Sequence, residues 1–280
     1  MFYVDHNSDN FTIIDCCITN ETADAILADV SVRAGKKRNS RFISTHPDED
    51  HLRGLTLLDA KLPISNFYCI DNNATKDDES LDFKHYKKLR SSSKAFHMRR
   101  GCTRKWMNLD GEGRGSSGLS IHWPDTSHEE FQLALADAED GLSPNNISPI
   151  VEYRGPNAKF IWMGDLETEF LEAIAEDLTL PKVDVLFAPH HGRDSGKIPQ
   201  SLLDQLDPKI IVVGEAPSEH LNYYAGYDTI TQNSAWDITF DCDGDFIHVY
   251  VLSKTYTVDY LWDLGLPNTL DRYLGSLKVG

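Results

Sequence analysis

The chain has 280 residues, of which 25% are charged and 40% hydrophobic, and its formal net charge is −17 at pH 7. This composition is typical of a globular protein with a sizeable buried core, and it excludes an intrinsically disordered chain. The strong acidity also argues against a protein that binds nucleic acid over its whole surface.

Cysteine usage and apolar segments indicate the compartment. The five cysteines are odd in number and contain no CxxC pair, so neither a disulfide framework nor a zinc ribbon is expected. The longest apolar runs, such as VDVLFAP and KIIVVG, have the length of a strand rather than of a membrane span. The N-terminus lacks the basic start and the apolar stretch of a signal peptide. We therefore expect a cytoplasmic protein with no membrane partner.

The first half of the chain alternates between predicted strands and helices. Strands are expected at FTIIDC, NSRFIS and SNFYCID, and a helix over residues 23–32. A second helix is expected to begin within LRGLTLL, after a charged loop. Residues 101–118 are rich in Gly, Arg and Ser and are predicted to be irregular.

The second half combines strand pairs with strand–helix units. PIVEYR and KFIWMGD are predicted to pair through a turn at residues 155–157, and an acidic helix is expected over residues 168–177. The strands VDVLFAP and PKIIVVG follow, separated by the helix PQSLLDQL, and the last hairpin turns at Asp243-Gly244. With no domain-sized break in composition, these elements predict one α/β sandwich over residues 1–280.

Polar residues follow several of the apolar strands. Residues 44–55, STHPDEDHLRGL, place His46 and His51 on either side of three acidic residues, and Asp165 ends KFIWMGD. His190 and His191 end VDVLFAP, and the loop EAPSEH follows PKIIVVG. Loops at strand ends along one side of a sheet are neighbours in space, so these side chains can converge. The acids alone are explained equally well as favouring a helix N-terminus, but that reading leaves the two histidines unexplained.

A mixed set of histidines and aspartates predicts a metal site. Imidazole nitrogen is a better ligand for Zn²⁺, Mn²⁺ or Fe than for Ca²⁺ or Mg²⁺. Carboxylates can also bridge two ions, an arrangement used for hydrolysis by a metal-activated hydroxide.

One basic segment departs from the acidic character of the rest of the chain. Residues 84–105 hold nine of the 27 Lys and Arg residues and no Asp or Glu, and Phe96 and Trp106 lie in or beside them. This basic insertion, at about residues 80–118, is interpreted either as a face that neutralises acids elsewhere in the fold or as a patch that receives a polyanion. In the second interpretation the candidate substrate contacts are Arg99, Arg100, Arg104 and Lys105.

The order of these motifs resembles the metallo-β-lactamase superfamily. HPDEDH, then GD at the end of one strand, then HHG at the end of the next, and finally a DGD hairpin are most similar to the hydrolase domain of the ComEC family of bacterial DNA-uptake proteins and its stand-alone relatives. The likeness spans FTIIDC to FIHVYV. It implies an αββα sandwich with a dinuclear metal centre at one edge.

The resemblance also implies a role for each residue of the motifs. His46 and Asp48 would serve one ion, Asp50 and His51 the other, Asp165 would bridge them, and His190 or His191 would complete the set. Asp50 and Asp165 are the candidate catalytic residues. Because Asp48 stands where most of the superfamily has a second histidine, Mn²⁺ competes with Zn²⁺ for the two sites.

Three further positions are assigned less directly. The superfamily histidine between the first motif and GD has no counterpart, so we expect Asn145 or Asn146 of the loop SPNNISP to point inward instead. Asp15, at the end of FTIIDC, is a candidate for orienting a ligand histidine from behind. His220 is equally well interpreted as a ligand and as a substrate contact.

Three functions remain open on this basis. The first is a metal-dependent phosphodiesterase or nuclease acting on nucleic acid or a nucleotide, for which the basic segment would neutralise phosphates. The second is a hydrolase of a small ester, lactone or thioester, and the third is a degenerate interaction module without activity. The acid-free basic segment favours the first, and the stand-alone chain fits a component of a larger bacterial system with partner proteins, such as a defence operon.

Overall fold

The computed structural model of the chain describes residues 1–6, 8–37, 39–111, 113–214 and 223–279. These residues form an α/β structure, which confirms the predicted class. The chain divides into two compact units, residues 1–149 and residues 150–280. The organisation as one domain stays a prediction.

The N-terminal unit contains a sheet with the strand order β1-β2-β3-β4-β5. The pair β1–β2 is antiparallel and the other neighbours are parallel. The elements of this unit are β1 (Phe2–Asp5), β2 (Asn10–Ile14), α1 (Ala23–Ala34), β3 (Asn39–Ile43), α2 (Glu49–Leu52), α3 (Leu55–Lys61), β4 (Asn66–Cys69), α4 (Leu81–Arg90), β5 (Ala95–His97), β6 (Leu119–Trp123) and α5 (Glu129–Glu139).

The two faces of this sheet differ in polarity because successive residues of a strand point to opposite sides. Phe11, Phe42 and Phe67 are fully buried and share a hydrophobic cluster with apolar side chains of α1, α3 and α4. Thr12 and Arg41, which are partners in the β2–β3 register, occupy the alternate positions. The apolar face therefore forms the core of the unit, and buried polar groups occupy the other face.

The C-terminal unit contributes five strands in the order β11-β10-β9-β8-β7 and a separate antiparallel sheet β12-β13-β14. In the first group β7–β8 is antiparallel and the remaining pairs are parallel. The elements are β7 (Ile150–Arg154), β8 (Lys159–Trp162), α6 (Thr168–Ile174), β9 (Val185–Phe187), α7 (Gln200–Leu206), β10 (Ile210–Val213), β11 (Thr229–Thr231), α8 (Gln232–Ala235), β12 (Ile238–Asp243), β13 (Phe246–Val251) and β14 (Arg272–Lys278).

Most of the predicted elements are confirmed. The turn between β7 and β8 is closed by a hydrogen bond from Gly155 N–H to the Ala158 carbonyl (2.8 Å), and Gly244, at a φ of +56°, lies in the turn between β12 and β13. No helix in the described part of the chain combines the length and the apolar character that crossing a bilayer demands.

Candidate functional site

The charged stretch after β3 is a loop up to Asp48 and becomes helical from Glu49, which corrects in part the expectation of a loop. Helix α2 begins at Glu49, directly after the extended residue Asp48, and contains both Asp50 and His51. Acidic side chains in a first helical turn are favoured by the partial positive charge at the helix N-terminus, so the acids that suggested a loop start the helix earlier than predicted. His51 is consequently held on a helical turn.

Gly54 allows this turn to pack against the segment that follows β2. Its φ is +82°, and a Cβ atom there would lie 2.5 Å from the Ile18 Cβ, so only glycine fits without displacement. The Asp82 carboxylate accepts hydrogen bonds from the N–H groups of Gly54 (2.7 Å) and Thr56 (2.8 Å). On the other side, Cys16 N–H donates to the His51 carbonyl (3.0 Å). The backbone that carries His51 is therefore fixed from several directions.

His46 and His51 form a buried pair of imidazole rings. Their exposures are 1% and 6%, and their ring centroids lie 4.1 Å apart. Behind them lies the buried carboxylate of Asp15, which accepts hydrogen bonds from Thr45 N–H (2.8 Å) and the Thr45 hydroxyl (2.6 Å). The His51 Nδ1 atom lies 2.9 Å from the same carboxylate. The expected contact between Asp15 and a histidine is therefore present, and the role of that histidine as a metal ligand stays a prediction.

The hydrogen-bond pattern assigns the tautomer of both rings. Because an ionised Asp15 can only accept, His51 must carry its proton on Nδ1. The Thr45 hydroxyl uses its single proton on Asp15, so it accepts from His46 Nδ1, which lies 3.0 Å away. Ser148 places a second hydroxyl oxygen 3.2 Å from that nitrogen. In the neutral form of each ring Nε2 is then the nitrogen with a lone pair, the form in which histidine ligates metal ions.

Asp48 lies between His46 and a lysine. Its Oδ2 atom is 4.0 Å from His46 Nε2, and its Oδ1 atom accepts from Lys76 Nζ at 2.6 Å. His46, Asp50 and His51 are among the His and Asp side chains of the described residues that could hold a metal ion. The donor set of the N-terminal unit, imidazole nitrogen with carboxylate oxygen, fits Zn²⁺ or Mn²⁺.

The C-terminal unit brings the other predicted ligands together. Asp165 follows β8 and is buried, while His190 and His191 follow β9. The Nε2 atoms of His190 and His191 lie 4.0 and 3.6 Å from Asp165 Oδ2. Ser195 places its hydroxyl 2.8 Å from His190 Nδ1, so His190 also has Nε2 directed at the carboxylate. Asp165 and His191 are likewise of the kind that could hold a metal ion.

The backbone of the HHG motif is strained. His190, His191 and Gly192 have φ values of +49°, +57° and +79°, three consecutive residues in the left-handed region. Only glycine adopts this region without cost, and strained residues of other types cluster at functional sites. The conformation is supported by a hydrogen bond from His190 N–H to the Gly164 carbonyl (3.0 Å). Burial lowers the pKa of His190, which favours the neutral imidazole that a metal ion requires.

Two expectations about neighbouring residues have different outcomes. Asn145 is buried in a short 3-10 helix, Asn145–Ile147, and the nearby Ser148 places its hydroxyl 3.2 Å from His46; an inward-pointing Asn145 or Asn146 stays a prediction. His220 lies outside the described residues, so its role as ligand or substrate contact stays a prediction. Thr45, Ser148 and Lys76 carried no sequence signal, because a hydroxyl or a lone lysine in a loop has no characteristic spacing.

Several side chains of the basic insertion pair with acidic or aromatic residues. Lys87 pairs with Glu79, and Arg100 lies 3.5 Å from Asp125, as expected if the segment neutralises acids elsewhere in the fold. Arg104 is engaged internally, because its guanidinium stacks over the rings of Tyr68 (5.1 Å) and Phe96 (4.8 Å) and donates to Asn66. The remaining candidate contacts, Arg99, Arg100 and Lys105, are exposed.

The sequence matches no protein-family model, and a search of curated proteins finds no relative. The resemblance to the metallo-β-lactamase superfamily therefore rests on the sequence motifs and stays a prediction.

Proposed function

We propose that the chain is a metal-dependent hydrolase of the metallo-β-lactamase type, with an αββα sandwich and two divalent ions, Zn²⁺ or Mn²⁺. Its substrate in this proposal is a phosphodiester of nucleic acid or of a nucleotide. The proposed ligands are His46, Asp48, Asp50, His51, Asp165, His190 and His191, of which Asp50 and Asp165 are the catalytic carboxylates.

The observation that carries the proposal is the imidazole pair backed by Asp15. A histidine that is buried only for structural reasons needs a hydrogen-bond partner for each of its ring nitrogens. A carboxylate that is buried only for structural reasons needs no more than one histidine as its partner. Here one carboxylate sets the tautomer of two adjacent rings, of His51 directly and of His46 through Thr45. Such carboxylate–histidine contacts are a recurring feature behind metal ligands.

Two divalent ions held by these residues would polarise a phosphoryl oxygen and activate water near neutral pH. The residues of the chain orient the imidazole rings. Asp15 and Thr45 bond to Nδ1 of His51 and of His46, and Ser195 bonds to Nδ1 of His190, so Nε2 of each ring is the nitrogen that would face a metal ion. Burial of Asp165 excludes water from its carboxylate and leaves it directed at His190 and His191.

The exposed arginines and lysine of the basic insertion support a polyanionic substrate. A chain of net charge −17 repels a polynucleotide at long range, so a local cationic surface is needed for rapid encounter. One observation favours the second candidate, hydrolysis of a small ester, lactone or thioester. Lys87, Arg100 and Arg104 already have partners within the unit, which reduces the charge available to a substrate.

The first experiment measures metal content together with hydrolysis of single-stranded DNA, RNA and model phosphodiesters. Asp50→Ala and Asp165→Ala should each remove one or both metal ions and abolish hydrolysis. His122→Ala, on strand β6 and outside the proposed ligand set, is the control and should retain the metal. Retention of both ions in the Asp165→Ala protein would refute the proposed centre.

A second experiment separates the two substrate classes. Neutralising Arg99, Arg100 and Lys105 together leaves the stacking of Arg104 on Tyr68 and Phe96 in place, and circular dichroism checks that the triple variant is folded. We expect weaker binding of a single-stranded oligonucleotide and a salt dependence that is flatter by roughly 0.7 log unit for each phosphate that the protein no longer neutralises. Binding and salt slope equal to those of the unaltered protein would favour the small-ester candidate.

A further inference from the structure

Lys76 lies against one of the proposed metal ligands. Its ammonium nitrogen is 2.6 Å from Asp48 Oδ1, while the other oxygen of that carboxylate faces His46 Nε2. The lysine side chain is 25% exposed. The cation therefore touches the carboxylate of a proposed ligand and is also accessible from solvent.

The loop that carries Lys76 is firmly anchored. Thr75 donates through its backbone N–H to the Ala138 carbonyl (3.0 Å) and through its hydroxyl to the Glu139 carbonyl (2.8 Å). On the other side, Asn72 donates to the Ile70 carbonyl and accepts from the Ala74 N–H. These bonds fix the chain immediately before Lys76, and the ion pair with Asp48 then places the ammonium group.

The charge of a bound cation changes what Lys76 can do. A carboxylate that ligates a dication loses much of its attraction for an ammonium group, because two positive charges then compete for one negative charge. An ammonium group has three donors, and Asp48 occupies only one of them in the ion pair. The others can turn to an anionic oxygen beside the metal ligands. Lysine is a common phosphate-binding residue of this kind.

We propose that Lys76 contacts a nonbridging phosphoryl oxygen of the substrate and thereby selects anionic phosphodiesters over neutral esters. This inference rests on the proposed metal-dependent function. It deepens that function by assigning substrate class to a residue outside the motifs.

Lys87 provides a matched control within the same unit. Lys76 and Lys87 both lie over the ring of Phe83, at 5.6 and 5.8 Å, and both pair with a carboxylate. Their side-chain exposures are 25% and 36%. The difference is the partner, because Asp48 is a proposed metal ligand and Glu79 is not. Lys76→Met and Lys87→Met therefore remove the same charge from similar surroundings.

The experiment uses the metal-loaded full chain with three probes. Inorganic phosphate binding is measured by calorimetry, and bis(p-nitrophenyl) phosphate and p-nitrophenyl acetate serve as anionic and neutral substrates. In Lys76→Met we expect phosphate affinity and diester kcat/KM to fall about tenfold, the effect of removing one charge-assisted hydrogen bond, while acetate hydrolysis and metal content stay unchanged. Lys87→Met should match the unaltered protein, and Lys76→Arg should restore part of the phosphate affinity.

Each other outcome has a definite meaning. Equal losses in the two methionine variants would overturn the inference in favour of a general charge effect, and no loss in Lys76→Met would overturn it directly. Loss of metal from Lys76→Met would also overturn it, since the lysine would then position Asp48 instead of touching substrate. An unaltered protein that binds metal and cleaves only the acetate would refute the phosphodiesterase proposal. One that binds no metal would refute both proposals.

Discussion

Substitution of Asp15 by asparagine tests the hydrogen-bond network behind the histidine pair. The φ of Asp15 is +53°, a conformation that asparagine tolerates and alanine does not, so Asp15→Asn keeps the backbone and the side-chain volume. The carboxylate receives three hydrogen bonds, from Thr45 N–H, the Thr45 hydroxyl and His51. An amide offers only one oxygen, and its NH₂ group must face at least one of these donors.

The geometry decides which of the three donors must become an acceptor. The Thr45 backbone N–H cannot rotate away and cannot become an acceptor. If the new amide NH₂ group faced it, a buried donor would be left unsatisfied at a cost of about 1–3 kcal/mol. The hydroxyl and the His51 ring can both become acceptors instead. His51 then moves its proton from Nδ1 to Nε2 and loses the lone pair that would ligate a metal ion. We expect metal affinity to fall about 10- to 100-fold, the usual effect of removing such a partner.

Two measurements check this reasoning. Nitrogen-15 NMR of the histidine rings in metal-free protein should show the His51 proton on Nδ1 before the substitution and on Nε2 after it. A metal titration should show the loss of affinity, and Thr45→Ser, which retains the hydroxyl, should show little change. If His51 keeps its proton on Nδ1 in Asp15→Asn, the assignment of the network is wrong.

Three further changes concern stability. Gly54→Ala should lower the melting temperature markedly, since its Cβ would overlap Ile18 at a positive φ; a retained melting temperature would contradict the close approach. Asp82→Ala should cost about 1–2 kcal/mol in denaturant unfolding, because the N–H groups of Gly54 and Thr56 lose their acceptor; Asp82→Asn should cost less. Burial lowers the pKa of His6 from 6.5 to about 3, so the unfolded state takes up a proton that the folded state refuses. Through His6 the free energy of unfolding is therefore independent of pH above 6.5 and falls by about 1.4 kcal/mol per pH unit between pH 6.5 and pH 3. His6→Gln should flatten the measured slope in this range.

The sequence by itself determined which residues are candidates. HPDEDH, GD and HHG each follow an apolar run, and apolar runs of that length bounded by turn residues become buried strands. The alternation of Phe11, Thr12 and Ile13 likewise decides which side of β2 enters the core. These are local properties, readable from the order of residues, and the structure has a strand before each of the three motifs.

Only the tertiary structure decided what each candidate contacts. Ser148 and His46 are separated by 102 positions, Asp15 and His51 by 36, and Lys76 and Asp48 by 28. Such pairs depend on where loops from different strands finish, and no periodicity encodes that. The stacking of Arg104 on Tyr68 and Phe96 is of the same kind, because a basic run shows its charge in the sequence but not its partners. The sequence states which side chains are present, whereas the packing of the whole unit decides which of them are in contact. Those contacts set the tautomer of each histidine and the charge that each arginine or lysine can offer to a substrate.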